Sequence, residues 1–417
     1  MKNAFLPLLF GGVVKLAMGD GDAASGIFPI GNSRPRGVYG LKNGTDIGLS
    51  DGSYILFSEY FYGGVNALDV ETGTITPIVP SKSTLNERQA FGIAYSKTAA
   101  SAAAGGGGGG GVLLVAGGQV DPALRIYNAT TGEWIADCKG GREDGFLTDV
   151  VVMQDYAYVT DYYFNEIYKF NITSATSLDG DCTLEETIVT PEDIFLSQTD
   201  ASGLPTYGAS GLVQYGTGLL VVADTAGSLW YIDLEDDNRD ATEIIPSGFL
   251  PFAGGMTITT DGVLFVPSIV FSHVSVYQIS TQDGGSITWE SLGEINSGNN
   301  LDSPSTTALL NGILYAANSR IANLYGNENG SPATDEEDRN VFAEQFQIVG
   351  VDASDIVGNS DGQSSIFVGG SSAGSPTPST SDGNDVASSS RGTMNNAGVL
   401  LMSTILSLGT HLVLCAL

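Results

Sequence analysis

The sequence is poor in basic residues. Its 417 residues include 16 Lys and Arg against 47 Asp and Glu, which gives a formal net charge of −31 at pH 7. Nucleic acids and anionic membrane surfaces are recognised by clustered Lys and Arg, so we expect no nucleic-acid partner and no membrane binding through surface charge. Charged residues make up only 15% of the chain and hydrophobic residues 42%, so the acidity is compatible with a folded core.

Histidine is almost absent. The two His residues, His273 and His411, are too few for a zinc site with several His ligands. His273 lies in the alternating segment FSHVSVY, where a single His is usually structural, so it is a weak candidate for the base of a Ser–His–Asp triad. The composition therefore excludes His-rich metal centres and disfavours triad hydrolases.

Cysteine is equally scarce. Cys415 lies in an apolar C-terminal segment, which leaves Cys138 and Cys182 as an even pair. In an oxidising compartment these two residues are a candidate disulfide between neighbouring repeat units, and two unpaired buried thiols are the alternative.

Sustained helical periodicity is missing before residue 399, and short strand-like runs take its place. The runs are rich in β-branched and aromatic residues and are separated by Gly, Asp and Asn. A triplet of such runs returns six times, most clearly in its second member. The second members are SYILFSEY (53–60), VLLVAGG (112–118), YAYVTDY (156–162), GLLVVADT (218–225), GVLFVPSI (262–269) and GILYAANS (312–319). Six units of three or four strands predict an all-β fold, a six-bladed β-propeller, in which residues 27–41 close the ring as the outer or the inner strand of the last blade.

Both ends of the chain are predicted to be processing signals. Lys2, the apolar run that follows it and the small residues up to position 19 are typical of a secretory signal peptide over residues 1–19. Residues 399–417 are apolar and follow a small-residue cluster and a polar spacer, which indicates glycosylphosphatidylinositol attachment at Ser388. A single-pass or tail-anchored helix is the alternative.

Between these ends we expect the propeller over residues 20–356 and a Ser-, Thr-, Gly- and Pro-rich stalk over residues 357–398. Four Asn-x-Ser/Thr sequons agree with passage through the secretory pathway: Asn43, Asn128, Asn171 and Asn329. These features predict a monomeric glycoprotein held at the cell surface through a C-terminal membrane anchor.

Four segments resemble the gluconolactonase and senescence marker protein (regucalcin) family of six-bladed propellers, in a secreted and divergent branch. They are residues 146–161, 210–233, 254–268 and 305–320. The resemblance implies a lactone hydrolase with one divalent cation, Ca²⁺ or Mg²⁺, at the mouth of the central channel.

The resemblance also implies a set of site residues. The family's Asn ligand before a Gly-Leu pair corresponds to Ser210, and its Asp ligand before a Gly-Met pair corresponds to Gly254. The Asn-Asp pair that contacts substrate corresponds to Thr148 and Asp149, while the family's Glu ligand has no clear counterpart. Ser210 offers one neutral oxygen and Gly254 offers no side chain, whereas a hard cation needs several converging oxygens. If the channel geometry survives, returning Asn and Asp to positions 210 and 254 is expected to raise the affinity for a metal.

This eroded ligand set favours binding over catalysis. We expect a ligand-binding or interaction module whose partner is a small molecule, a glycan or a protein, with one divalent cation as the only cofactor in view. The alternative is a divalent-metal-dependent lactone or ester hydrolase with relocated ligands. The candidates at the channel mouth are Thr148, Asp149, Asp161, Ser210 and Asp224. For the three Asp residues the alternative is a structural role, because an Asp at the end of a strand often caps a turn.

Overall fold

Short strands account for nearly all the regular structure in a computed structural model of the protein. The structure describes residues 26–30, 34–83, 88–97, 111–140, 142–164, 166–173, 182–189, 208–223, 226–250, 252–283, 285–296, 300–319 and 346–357. Within these ranges the helical structure amounts to a 3-10 turn at Gly44–Ile47 and a single turn, α1, at Ser354–Val357. No helix in the described ranges is long and apolar enough to cross a membrane.

The strands form six antiparallel four-stranded sheets, each a blade of the propeller. In order from the channel outwards, blade 1 contains β2 (Pro35–Leu41), β3 (Tyr54–Glu59), β4 (Val65–Asp69) and β5 (Ile75–Val79). Blade 2 contains β6 (Ile93–Ser96), β7 (Val112–Ala116), β8 (Ala123–Asn128) and β9 (Trp134–Lys139). Blade 3 contains β10 (Leu147–Met153), β11 (Tyr156–Asp161), β12 (Glu166–Asn171) and β13 (Thr183–Val189).

The other three blades repeat this order. Blade 4 contains β14 (Ala209–Tyr215), β15 (Gly218–Ala223), β16 (Ser228–Asp233) and β17 (Ala241–Ile245). Blade 5 contains β18 (Thr257–Ile258), β19 (Val263–Ser268), β20 (His273–Thr281) and β21 (Ile287–Ile295). Blade 6 contains β22 (Pro304–Leu310), β23 (Ile313–Asn318), β24 (Gln347–Asp352) and, outermost, β1 (Gly26–Pro29). The predicted six-bladed propeller is therefore confirmed.

The outer strands differ from the inner ones in how their side chains are buried. Every residue of β3 is buried, as is every residue of β15, because both faces of these strands contact neighbouring blades. Along β13 the residues alternate between exposed and partly buried, because one face of this strand meets solvent. The sequence pattern indicated the first three strands of each unit, and the polar, alternating fourth strands were not located from it.

The first strand closes the ring. β1 pairs with β24 in antiparallel register, with Gly26 opposite Gly350 and Pro29 opposite Gln347. Phe28 of β1 lies against the ring of Tyr315, with 6.4 Å between centroids. Of the predicted closing segment 27–41, only β1 thus belongs to the last blade, as its outer strand, whereas Pro35–Leu41 forms the inner strand of blade 1. Residues from both ends of the described chain hold the sheet of blade 6 together.

The hydrophobic core is divided into six wedges, one between each pair of neighbouring blades. Between blades 1 and 2, for example, Leu56, Ala67 and Leu113 have no exposed surface. Burying one such leucine contributes about 1.5 to 3 kcal/mol. Because every blade packs on two neighbours, the wedges hold the inner strands around a central channel.

A disulfide joins the outer edges of blades 2 and 3. Cys138 lies in β9 and Cys182 directly precedes β13, and their Cα atoms are 4.9 Å apart. This confirms the predicted pair and places it between neighbouring repeat units.

Several sequence-based predictions fall outside the described residues. These are the signal peptide, the stalk apart from Val357, the C-terminal anchor with Ser388, the sequon at Asn329 and the candidate Asp224. Of the other sequons, Asn43 is the N-cap of the 3-10 turn, and its side-chain oxygen accepts from the backbone of Thr45. Their glycosylation stays a prediction.

Candidate binding site at the channel mouth

Bulges bring polar side chains into the channel where the inner strands begin. In blade 3, Leu147 lies opposite Asp161, and the pairing register shifts between Leu147 and Asp149. A bulge interrupts the regular alternation of side chains along the strand and changes the direction in which the side chain of its extra residue points. The same shift follows the first residue of the inner strand in three other blades, at Pro35, Ala209 and Pro304.

The re-aimed residues surround one small cavity on the channel axis, with a volume of about 20 Å³. It is lined from all six blades by Arg36, Phe91, Thr148 with Asp149, Ser210 with Gly211, Gly254 with Gly255, and Ser305 with Thr306. A cavity of this size holds about one water molecule, whereas pockets for drug-sized ligands measure about 300 to 1,000 Å³. The channel therefore has no room at this level for an organic substrate.

Glycines let the inner strands approach one another closely around the channel, at Gly37 and Gly92 as well as in blades 4 and 5. A Cβ atom at Gly211 would lie 2.2 Å from the carbonyl oxygen of Gly254, and one at Gly254 would lie 2.0 Å from that of Ser305. Both contacts are with backbone, which cannot move aside without shifting a strand. The condition for restoring a metal ligand with Asp at position 254 is therefore not met, because a side chain there would displace the channel backbone.

Asp149 is the carboxylate of the cavity, and both of its oxygens are used locally. Oδ1 accepts from the backbone N–H of Val150 at 2.9 Å, and Oδ2 accepts from that of Leu212 in blade 4, also at 2.9 Å. Burial nevertheless raises the pKa of Asp149 to about 7, because removal from water penalises the charged form more than the two hydrogen bonds favour it. Asp149 thus ties blade 3 to blade 4.

The hydroxyl groups that line the cavity also bond mainly to backbone. Ser210 Oγ donates to the carbonyl of Ala253 at 3.2 Å. Thr148 Oγ1 lies 3.2 Å from Thr160 Oγ1 and 3.5 Å from the carbonyl of Ser210, and Thr160 Oγ1 donates to that same carbonyl at 2.6 Å. Among these hydroxyls, Thr148 has the longest and weakest bonds.

Arg36 is the cation of the cavity. Its guanidinium carbon lies 5.3 Å from the ring centroid of Phe91, within cation–π range. Its backbone carbonyl accepts from Ser305 Oγ at 3.0 Å and from Thr306 Oγ1 at 2.6 Å, which ties blade 1 to blade 6. Its Nη1 atom is buried and has no hydrogen-bond partner among the described residues.

Asp161 lies outside the cavity and supports the loops beside it. Its Oδ1 accepts from the backbone N–H groups of Phe146 and Tyr163, each at 3.0 Å. The hydroxyl of Tyr168 lies 3.2 Å from Asp161 Oδ2 and 2.8 Å from Glu166 Oε2. Burial raises the pKa of Asp161. Of the five candidates, the structure brings Thr148, Asp149 and Ser210 together, places Asp161 apart, and does not describe Asp224.

An array of six rings, here called the aromatic rim, lies at the mouth on blades 1 to 3: Tyr60, Phe61, Phe91, Phe146, Tyr162 and Tyr163. Neighbouring rings meet edge to face, at centroid distances from 4.3 Å for Tyr60 and Phe61 to 5.3 Å for Phe146 and Tyr162. Phe61, Tyr162 and Tyr163 are half-buried, so the rim presents part of its surface to solvent.

Arginines accompany the rim. Four of the six Arg residues in the described ranges lie just before or within the start of the inner strands of blades 1 to 3: Arg34, Arg36, Arg88 and Arg142. The Arg34 guanidinium carbon lies 5.1 Å from the centroid of Tyr60 and 5.3 Å from that of Phe61. In a protein of net charge −31, most of the described arginines thus lie in this half of the mouth, beside carboxylates such as Glu166.

Arg36, Phe91 and the rim did not emerge from the sequence. A signal for them was present: Arg36-Gly37-Val38 and Phe91-Gly92-Ile93 have the same small-residue and apolar pattern as Ser210-Gly211-Leu212. Aligning the starts of all six inner strands identifies the positions that line the channel. The alignment does not identify which of these side chains has a polar atom without a hydrogen-bond partner.

In the described ranges, no group of three or more His, Cys, Asp or Glu side chains is arranged to hold a metal ion. The cavity offers one carboxylate, Asp149, whose oxygens already accept two backbone N–H groups, together with the cation Arg36. These residues do not fit the divalent cation that the sequence resemblance implies, because such a cation needs several free oxygens and repels a guanidinium.

Comparison with solved structures agrees with the fold. The major allergen Mala s 1 of Malassezia sympodialis is 13% identical, with a TM-score of 0.50, covering 79% of this chain and 96% of that one. Virginiamycin B lyase from Staphylococcus aureus is 13% identical, with a TM-score of 0.42, covering 67% and 80%. No protein-family model matches the sequence, and no curated protein matches it significantly. At these identities the likeness shows a six-bladed propeller and nothing more specific.

Proposed function

We propose that the protein is a non-catalytic interaction module that binds a protein partner through the aromatic rim of blades 1 to 3. The observation that carries this proposal is the rim itself, six rings in continuous contact, partly open to solvent and accompanied by arginines. Aromatic residues and Arg are enriched in protein interfaces and among the residues that dominate their binding energy.

The rim is also held rigidly, which favours recognition. Asp161 fixes the backbone on either side of it through Phe146 and Tyr163, and Arg142 pairs with Glu166 at 2.8 Å beside it. A surface that is ordered before binding loses less conformational entropy on association. The buried carboxylates below the rim therefore act as supports for a binding surface.

The cavity supports the non-catalytic part of the proposal. A lactone would have to enter a space of about 20 Å³, next to a position, Gly254, where a Cβ atom would already contact backbone. The gluconolactonase-like activity implied by the sequence resemblance thus has no fitting ligand set among the residues that line this cavity.

We place this module at the cell surface, on the basis of the sequence features at the two ends of the chain and of the Cys138–Cys182 disulfide, which suits an oxidising compartment. Treatment of cells with phosphatidylinositol-specific phospholipase C is expected to release the protein without Cys415. Detection of the C-terminal peptide in membrane-bound protein would contradict the lipid anchor.

Proximity labelling with the full chain on its native cells tests the proposed interface. We expect a set of neighbours that is enriched with the wild type and lost with Tyr163→Ser. The matched control is Trp134→Ser, which removes an aromatic ring that is 50% exposed on the outer strand of blade 2. Equal enrichment with both variants would overturn the rim as the binding surface.

Enzyme assays test the absence of catalysis. The purified protein is expected to show no turnover of a panel of lactones and aryl esters, with or without Ca²⁺, Mg²⁺ or Zn²⁺. Turnover that a chelator abolishes and a metal restores would establish the hydrolase instead, and its ligands would then be sought at Asp149, Asp161 and Asp224.

A further inference from the structure

Arg36 is a fixed positive charge whose Nη1 atom is buried without a hydrogen-bond partner among the described residues. Leaving a buried charged donor unsatisfied costs more than leaving a neutral one, so such groups are normally paired. The π face of Phe91 at 5.3 Å attracts the guanidinium but accepts no conventional hydrogen bond from Nη1. We therefore expect Arg36 Nη1 to donate a hydrogen bond to an acceptor inside the channel.

The neighbouring carboxylate does not fill that role. Asp149 and Arg36 line the same cavity, yet these two described residues form no ion pair within 4.0 Å. Asp149 directs its oxygens to the N–H groups of Val150 and Leu212 instead. The hydroxyls of Ser305 and Thr306 approach the backbone carbonyl of Arg36 rather than its side chain.

We infer that the cavity is a site for one small monovalent anion of the size of chloride, with Arg36 Nη1 and Thr148 Oγ1 as its donors. The volume of about 20 Å³ admits a single small ion or one water molecule. Thr148 is suited to donate because its present bonds, 3.2 Å to a hydroxyl and 3.5 Å to a carbonyl, are long, and a hydroxyl rotates to suit its partner.

The rim and the cavity share Phe91, but their tests are distinct, because Tyr163→Ser removes a rim ring that does not line the cavity. The repulsion from Asp149 is smallest when its carboxyl is protonated. Since burial raises the pKa of Asp149 to about 7, binding is best measured at about pH 6.

Crystals of the protein soaked in bromide test the site directly. We expect an anomalous peak within hydrogen-bonding reach of Arg36 Nη1 and Thr148 Oγ1. A water molecule at this position with no anomalous signal would overturn the inference, since it would show that the guanidinium is satisfied by water only.

Thermal unfolding in solution provides the second measurement. At constant ionic strength, replacing sodium gluconate by sodium chloride or bromide is expected to raise the unfolding temperature in a saturable way, because a ligand of the native state stabilises it. Arg36→Gln should abolish this rise and Thr148→Val should weaken it, while Arg142→Gln, which removes an Arg outside the cavity, should leave it unchanged. If Arg36→Gln fails to fold, Thr148→Val and the bromide peak decide the question. Equal stability of the wild type in gluconate and chloride would contradict the site.

Discussion

The two halves of the channel mouth are built from different kinds of residue. Blades 1 to 3 contribute Arg36, Phe91 and Asp149, which are large or charged, and carry the aromatic rim. Blades 4 to 6 contribute glycines and small hydroxyl residues, with Gly211 and Gly254 pressed against the backbone of the next blade. Large and charged side chains thus line the channel from one half, and small hydroxyl residues and glycines line it from the other.

The difference shows how similar blades can serve different purposes. All six inner strands start at the channel, and register shifts occur on both sides of it. A glycine allows close backbone approach in blades 1 and 2, at Gly37 and Gly92, as it does in blades 4 and 5, whereas only blades 1 and 3 direct a charged residue at the axis. The glycine positions of the inner strands should thus be sensitive to added volume in both halves, and the half with charges should also be sensitive to changes in protonation.

The largest expected effect comes from adding a side chain to the small half. Gly254→Asp should destabilise the protein by about 4 kcal/mol or prevent folding, because its Cβ would lie 2.0 Å from the carbonyl oxygen of Ser305. Urea unfolding measures the difference. The control is Gly216→Ala, where no atom lies within 4 Å and only the φ of +56° opposes the change, at a cost of about 1 kcal/mol. Equal losses in the two variants would show that blades 4 to 6 are not tightly packed at the channel.

In the charged half, we expect a stability change with pH that depends on Asp149. Its folded-state pKa of about 7 lies above the ordinary 3.8, so the native state binds the proton more tightly than the unfolded state does. The stabilising contribution is therefore fully present below about pH 4 and is lost as the pH rises to about 7, which corresponds to on the order of 4 kcal/mol.

Urea unfolding of the wild type and of Asp149→Asn between about pH 4 and pH 8 tests this behaviour. The variant should lack the decline, because Asn does not titrate, and the difference between the two curves removes the titration of other groups. Parallel curves would mean that Asp149 keeps an ordinary pKa and that its surroundings are wetter than the structure indicates.

The disulfide should give a slightly smaller effect in the same half. It joins blades 2 and 3 across a sequence separation of 44 residues. Replacing Cys138 and Cys182 by Ala should lower the free energy of unfolding by about 3 to 4 kcal/mol, mainly because the unfolded chain gains freedom. The same double variant under reducing conditions should unfold like the reduced wild type. Peptide mapping without reductant that finds both thiols free in the wild type would contradict the pair.

The smallest effect is expected for an exposed ion pair near the rim. Arg142 is 46% exposed at its side chain and pairs with Glu166 at 2.8 Å. Arg142→Gln should cost about 0 to 1 kcal/mol, less in high salt, because solvent and ions screen exposed pairs. A loss of several kcal/mol would show that the rim depends on Arg142 more strongly than its exposure indicates.

The sequence identified strands better than it identified the site. The apolar runs of β7 and β15 stand out because both faces of those strands are buried, and the same property made their repetition visible. The outer strands β13 and β17 went unlocated because half of their residues meet solvent and resemble loop residues. Ser210 and Thr148 were found by alignment to a known pattern, whereas Arg36 was passed over because that pattern has no cation at its position.

What the sequence determined alone is the number of blades, the extent of their buried strands and the candidate pair Cys138 and Cys182. The blades and their strands can be read from local composition and period-2 alternation, which depend only on residues close together in the chain. The cysteine pair follows from the small number of Cys residues. The width of the channel, the use of both Asp149 oxygens and the unpartnered Nη1 of Arg36 were decided by the tertiary structure. Each of these depends on contacts between blades that are separated along the chain, such as Asp149 with Leu212 and Arg36 with Ser305, and no local pattern records such contacts.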